Sequence, residues 1–271
     1  MPDKSGNYIT KKMKFEAIDF YYFSGTGNTL LVVKKMRDVF VKNKINTNLY
    51  KIEKTDPKKI NPNFTIGLAF PVECFSTFPF VWKFLKSLPS VNGTDIFMVD
   101  TLGGASGGIV GPLKKILIKK GYNPIGAAEI QMPANIFYVQ KESNNRKKIE
   151  KGLLKAENYA ADLINGKSKW CRVPILSDIV YFASTALTKL FDWQPHQKWF
   201  LFKVDKSKCT RCGICTKLCP VSNIEMQEYP VYGMKCQYCL RCVSFCPEQS
   251  IPCFFNHKGK PYRAVNSGEL L

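Results

Sequence analysis

Ala17-Ile18-Asp19-Phe20-Tyr21-Tyr22-Phe23-Ser24-Gly25-Thr26-Gly27-Asn28-Thr29 reads as a strand, a tight turn and the start of a helix. Its first seven residues form a short apolar, aromatic run suited to a buried strand. Downstream, Leu30, Val33, Met36 and Phe40 fall at helical spacing. Gly25 and Gly27 permit positive φ and close approach of a neighbour to the backbone. Ser24, Thr26 and Thr29 offer hydroxyls, and the first N–H groups of a helix lack acceptors within it. Together they make a candidate anion site at a helix N-terminus. The turn has no lysine, so it is not Gly-x-x-x-x-Gly-Lys-Ser/Thr, and it is not Gly-x-Gly-x-x-Gly either. The same composition also serves as an ordinary turn and helix cap.

Working outward, strand and helix signals alternate. Strands are expected at 47–52, 65–70, 95–100 and 126–132. Helices are expected at 78–88, 109–120 and 145–165. In the last of these, Ile149, Leu153, Leu154, Tyr159 and Leu163 are expected to face a core. Strands alternating with helices of this length predict an α/β fold with a five-stranded, doubly wound parallel sheet.

The other end of the chain carries Cys209-x-x-Cys212-x-x-Cys215-x-x-x-Cys219-Pro220 and then Cys236-x-x-Cys239-x-x-Cys242-x-x-x-Cys246-Pro247. Eight of the 11 cysteines sit in these runs. The spacing is the bacterial one for two [4Fe–4S] clusters, the fourth cysteine of each run reaching across to the other cluster. Cys209, Cys212, Cys215 and Cys246 would hold one cluster, and Cys236, Cys239, Cys242 and Cys219 the other. Structural zinc usually shows Cys-x-x-Cys pairs, often completed by histidine. The only two histidines, His196 and His257, lie outside both runs. A disulfide framework belongs to small secreted domains, and a thioredoxin-type site needs one Cys-x-x-Cys. Proline after the fourth cysteine fixes the backbone, and Gly213 is expected to let the loop approach its cluster. Cys-Thr-Arg-Cys-Gly-Ile-Cys and Cys-Gln-Tyr-Cys-Leu-Arg-Cys read as an internal repeat.

Residues 201–256 resemble the bacterial two-cluster ferredoxins, a small α+β domain. Residues 23–29 resemble the phosphate loop of flavodoxins. The order of elements is similar too. In that fold the ligand sits at the carboxyl ends of the strands, where strand order reverses. The resemblance makes Ser24, Gly25, Thr26, Gly27, Asn28 and Thr29 the phosphate loop for FMN. It makes residues 71–76 and 101–108 the flavin loops, with Pro71, Val72, Phe75, Thr101, Gly103, Gly104 and Gly107 as site residues. Asn135 and Tyr138 follow from a third stretch, 133–138. The chain as a whole resembles the flavodoxin–ferredoxin fusions of anaerobes, which implies FMN, two [4Fe–4S] clusters and electron transfer. Two departures stand out. Residues 71–76 lack the glycine often present in that flavodoxin loop, and residues 101–108 lack the aromatic that commonly stacks on flavin. Phe75 and Phe137 or Tyr138 are the aromatic candidates. Cys74, Cys171 and Cys253 fall outside the cluster spacing and read as packing residues.

The expected order is a flavodoxin-like domain at 15–166, a helical connector at 167–200, the ferredoxin domain at 201–256 and a tail at 257–271. In the connector, Ile175, Ile179, Ala183, Ala186, Leu187 and Leu190 recur at helical spacing, flanked by Trp170, Trp193, Trp199, Phe200 and Phe202. No uninterrupted apolar run is long enough for a membrane span, and residues 1–14 lack the apolar core of a signal peptide. A cytoplasmic location is expected. Lys+Arg number 40 against 21 Asp+Glu, a formal charge of +19. No nucleic-acid motif accompanies it, so an acidic protein redox partner is the expected counterpart. The reading is an electron carrier relaying single electrons between clusters and FMN, with no side chain needed as acid, base or nucleophile. The second reading is an FMN-dependent reductase of a small substrate, fed through its clusters. A redox sensor is the third.

Overall fold

The computed structural model describes residues 13, 15–73, 75–104, 108–136, 139–170, 202–253 and 261–271. Five strands, β1 (Ala17–Tyr22), β2 (Asn46–Lys51), β3 (Thr65–Pro71), β4 (Asp95–Leu102) and β5 (Asn123–Gln131), form one sheet in the order β2-β1-β3-β4-β5. Every pairing is parallel. Four helices lie between and after them: α1 (Asn28–Lys42), α2 (Pro79–Ser87), α3 (Val110–Lys119) and α4 (Glu142–Ile164). This is the flavodoxin-like doubly wound order, with its switch point between β1 and β3.

Strand alternation builds the two layers. Ile18, Phe20, Tyr22, Phe97 and Val99 join α1 and α4 in one buried cluster. Tyr21, Phe23, Ile66, Leu68, Phe70, Ile96 and Met98 join α2 and α3 in the other. Successive side chains on a strand point to opposite faces, so one apolar run feeds both cores. Phe20 and Phe97 meet edge-on at 5.2 Å. They can do so because a Cβ on Gly67 would lie 2.6 Å from one ring and 2.7 Å from the other.

Three expectations shift. β5 begins at Asn123 and α4 at Glu142, each earlier than its apolar pattern suggested. Both additions are polar stretches with local support. Asn123 Nδ2 donates to Asp95 at 2.6 Å, and Arg146 pairs with Glu142 one helical turn away. Leu154, expected in the core, is 59% exposed; Gly152, Ala156, Tyr159, Ala160, Leu163 and Ile164 form the buried stripe instead. Residues 168–170, placed in the connector, still pack on this domain. Ala127 N–H donates to the Lys169 carbonyl, and Trp170 Nε1 donates to that of Val110. The connector helix proposed from residues 175–190 lies outside the described residues.

The C-terminal part is small. Helix α5 (Ile214–Leu218), the antiparallel hairpin β6 (Ile224–Met226) and β7 (Pro230–Tyr232), and helix α6 (Arg241–Ser244) surround a core of Phe202, Ile224, Leu240, Val243 and Ile251 with buried cysteines. The internal repeat is visible in the backbone. Left-handed φ recurs at matched places: Arg211 with Tyr238, Gly213 with Leu240, and Ser222 with Gln249. Gly213 therefore serves a left-handed turn, φ 73°, and a Cβ there would meet nothing closer than 4.0 Å. The glycine meets the conformational need of this turn.

Candidate functional site

The eight cysteines of the two runs sort into two groups. Cys219, Cys236, Cys239 and Cys242 line one pocket, partly open to solvent. Cys209, Cys212, Cys215 and Cys246 line a second. Each group takes three cysteines from one run and the last from the other. Among the described residues, no three His, Cys, Asp or Glu converge as the ligands of a single ion would. The cysteines surround space instead, which suits a polynuclear cluster.

The surroundings of the sulfurs also suit one. Asn223 N–H donates to Cys219 Sγ at 3.2 Å, and Ser250 N–H donates to Cys246 Sγ at 3.3 Å, the same bond in both copies. Tyr238 N–H donates to Cys236 Sγ at 3.4 Å. Burial pushes the Cys215 and Cys236 thiols up to about 11 and the Cys239 thiol up to about 12. Thiolates are the metal-binding form, and such buried thiolates require bound cationic charge to compensate them.

The two groups differ at one matched position. Cys212 is exposed along with Thr210 and Arg211. Its counterpart Cys239 lies against the N-terminal domain, where a Cβ on Gly25 would sit 2.7 Å from the Cys239 carbonyl oxygen. Arg241 crosses this junction. Its Nε donates to the Ser24 carbonyl at 2.8 Å and its Nη1 to the Leu218 carbonyl at 3.3 Å. Its Nη2 lies 2.7 Å from Glu53 Oε1, and its guanidinium covers the Phe23 ring at 4.5 Å.

Residues 24–29 form the turn between β1 and α1. Gly27 takes φ 105° at the helix start. Ser24 Oγ accepts from the N–H groups of Gly27 and Leu30. Both are acceptor roles, so the Ser24 hydroxyl keeps its proton to donate. Thr26 Oγ1 accepts from Asn135 Nδ2 at 3.3 Å, which leaves its proton free in the same way. The Thr29 hydroxyl bonds that of Thr101 at 2.8 Å, so these two residues brace β4 against α1. The N–H groups of Asn28 and Thr29 open the helix, where no acceptor exists within it. Two hydroxyl protons and first-turn amides fit a bound anion.

The other expected loops gather at the same edge. Val72 N–H donates to the Thr101 carbonyl, and the Thr77 hydroxyl donates to that of Pro71. A Cβ on Gly108 would collide with the Phe75 carbonyl, and one on Gly103 would lie 3.1 Å from Ala134. Asn28 Nδ2 donates to the Pro133 carbonyl at 2.9 Å. Among the described residues nothing lies within 4 Å of a Cβ on Gly104, and Phe75 is 48% exposed with φ 62°. Three stretches are thus brought together: 24–29, 71–77 with 101–104, and 133–135. Gly107 and Tyr138, with Cys74 and Phe137, lie outside the described residues. Burial pushes the Glu73 carboxyl up to about 8.

Two features had no signal in the reading of motifs. Asp100, near the end of β4, is fully buried, and among the described residues neither carboxylate oxygen has a hydrogen-bond partner. Burial first, and Glu129 second, hold it well above the usual carboxylate range. The tail is the other. Tyr262 donates its hydroxyl proton to Asn28 Oδ1 at 2.6 Å, and Ala264 N–H donates to the Thr26 carbonyl at 2.8 Å. Val265 packs on Gly27, where a Cβ would lie 2.7 Å from its side chain. The tail therefore straps the turn that the sequence marked as an anion site.

Residues 201–262 match the family model of the 4Fe-4S dicluster domain. With the parallel sheet ahead of it, the chain has the make-up of a flavodoxin–ferredoxin fusion. Among solved structures, Bacillus cereus flavodoxin 2 aligns at 14% identity over 54% of this chain and 97% of its own, with a TM-score of 0.43. The flavodoxin of Streptococcus pneumoniae aligns at 14% over 54% and 97%, TM-score 0.42. That of Megasphaera elsdenii aligns at 20% over 51% and 98%, TM-score 0.36. The strand order, rather than these likenesses, identifies the architecture. No curated protein matches the chain.

Proposed function

We propose that the chain is an electron-transfer protein that relays single electrons between two [4Fe–4S] clusters and FMN, and onward to a redox partner. The reading assigns Cys209, Cys212, Cys215 and Cys246 to an outer cluster and Cys219, Cys236, Cys239 and Cys242 to an inner one. Residues 24–29 take the FMN phosphate, and the loops at 71–76, 101–108 and 133–138 take the flavin. Bound clusters supply one-electron chemistry, and bound flavin can hold two electrons. The chain's own part is to hold the sites close and to keep water out.

One observation carries the reading: the turn at Gly25 packs directly on the carbonyl of Cys239. The loop assigned to FMN phosphate and a cysteine loop assigned to a cluster are in contact. The exposed Cys212 side then serves as the door to a partner. With a formal charge of +19, an acidic protein partner is the matching class. A cytoplasmic location goes with these cofactors; among the described residues no helix is long and apolar enough to cross a membrane. The space left beside Gly104 among the described residues favours a second reading, a reductase that admits a small substrate to the flavin.

The deciding experiment is anaerobic purification with iron, sulfide and flavin analysis, followed by stepwise reduction watched by visible spectra and EPR. About eight irons and one FMN per chain, with flavin reduced through the clusters, are expected. Eight irons without flavin would overturn the FMN assignment.

A further inference from the structure

We propose that the buried pair Arg241–Glu53 sets the potential of the inner cluster apart from that of the outer one, and ties that potential to the docking of the two domains. This rests on the cluster assignment given above. The starting observation is a break in the repeat. The runs Cys212-Gly213-Ile214-Cys215 and Cys239-Leu240-Arg241-Cys242 occupy the same fold, but an apolar residue in one is a guanidinium in the other. Arginine is rarely buried unless it is paired. Here the Arg241 and Glu53 side chains are 3% and 4% exposed.

Geometry fixes the charge beside the inner cysteines. Arg241 stands between Cys239 and Cys242 in the chain and lines the same pocket as the four inner cysteines. Its side chain is held by the Ser24 and Leu218 carbonyls and covers Phe23. Glu53 comes from the short 3-10 turn Ile52–Lys54 after β2, so its carboxylate belongs to the other domain. The 2.7 Å contact is an ion pair without hydrogen-bond alignment, and among the described residues Glu53 accepts no hydrogen bond. The two charges are therefore coupled through space in a dry, low-dielectric junction, where they act strongly.

Reduction adds one negative charge to a cluster. A buried cation nearby favours the reduced form and raises the potential, and an anion lowers it; local charge is among the terms that set cluster potentials. Arg241 pushes the inner cluster up, and Glu53 holds that push in check. The outer cluster has Ile214 at this place and an exposed Cys212, where solvent and salt screen distant charge.

The test is an EPR-monitored redox titration of the full chain with its clusters in place. The variants are Glu53→Gln and Arg241→Gln, and iron content and circular dichroism are measured in parallel. Glu53→Gln is expected to raise one cluster's potential by at least a tenfold change in its reduction equilibrium, 59 mV for a one-electron couple. Arg241→Gln is expected to lower the same cluster, and the other cluster moves less in both. A purely structural pair would shift both variants in the same direction, or neither; either outcome, with iron retained, overturns the proposal. If Arg241→Gln does not fold, Glu53→Gln decides alone, because it keeps the cation and unmasks it. A wild-type chain without two clusters would instead defeat the cluster assignment, and the iron analysis reports that separately.

Discussion

Cys212 and Cys239 hold the same place in two copies of one motif, yet Cys212 is exposed and Cys239 lies under Gly25 of the sheet domain. Around Cys212, residues 210–212 are all exposed, while 237–240 are half-buried or buried. The backbone does not distinguish the copies: left-handed residues and amide–sulfur bonds recur in register. What differs is the neighbour. A duplicated motif supplies two matched groups of cysteines, and the fold then leaves one corner, at Cys212, to solvent and packs the matching corner, at Cys239, on the sheet domain. In the proposed relay, that asymmetry would give the path two different ends.

The largest test breaks each cage in turn. Cys212→Ala and Cys239→Ala are each expected to lose one cluster and about half of the iron. Iron analysis and EPR of the purified proteins check this. In the unmutated chain, a chelator under air should strip the Cys212 group first and the covered group later. Iron lost in a single phase would mean that the difference in exposure has no chemical consequence.

A second test separates conformation from packing at matched positions. Gly213 and Leu240 are both left-handed, at φ 73° and φ 61°. Leu240 is 2% exposed in the module's core. Leu240→Ala should cost about 2–5 kcal/mol as a core truncation. Gly213→Ala has open space for its methyl group and should cost only the left-handed penalty, about 1–2 kcal/mol. Anaerobic denaturant melts of the two variants measure the gap.

A third test sharpens the contact itself. In Gly25→Ala the new methyl group would lie 2.7 Å from the Cys239 carbonyl oxygen, a backbone atom that cannot swing aside. Overpacking of this kind costs about 1–3 kcal/mol. The covered cage should also become as accessible to chelator as the exposed one. Chelation kinetics unchanged from the parent chain would show that the two domains do not protect each other.

Much of this was legible in the chain, for identifiable reasons. The strands are near-continuous apolar runs because a parallel sheet is buried on both faces. The cysteine spacing is rigid because ligands must surround one object, and the crossing of Cys219 and Cys246 between the groups follows it. Polar element ends were not legible: Asn123 and Glu142 carry no periodicity and depend on partners such as Asp95 and Arg146. Leu154 fits a helical pattern but faces outward, since small residues Gly152, Ala156 and Ala160 let α4 lie close to the sheet. The junction was least legible. Glu53, Arg241, Gly25 and Tyr262 lie far apart in sequence, and none belongs to a periodic pattern.

The smallest test concerns the strap. The Tyr262 hydroxyl reaches Asn28 in the same turn that Gly25 presses on Cys239. Tyr262→Phe removes one hydrogen bond while keeping the ring, and should cost about 0.5–1.5 kcal/mol. If residues 24–29 hold the FMN phosphate, flavin affinity should fall by a similar factor while iron content stays unchanged. Flavin fluorescence titration of the full chain reads the affinity directly. A loss of iron without a loss of flavin would place the strap's influence on the covered cage instead. The comparison between the two cages would then extend to the tail, because among the described residues it is Cys239 of the covered cage that touches the turn the tail holds.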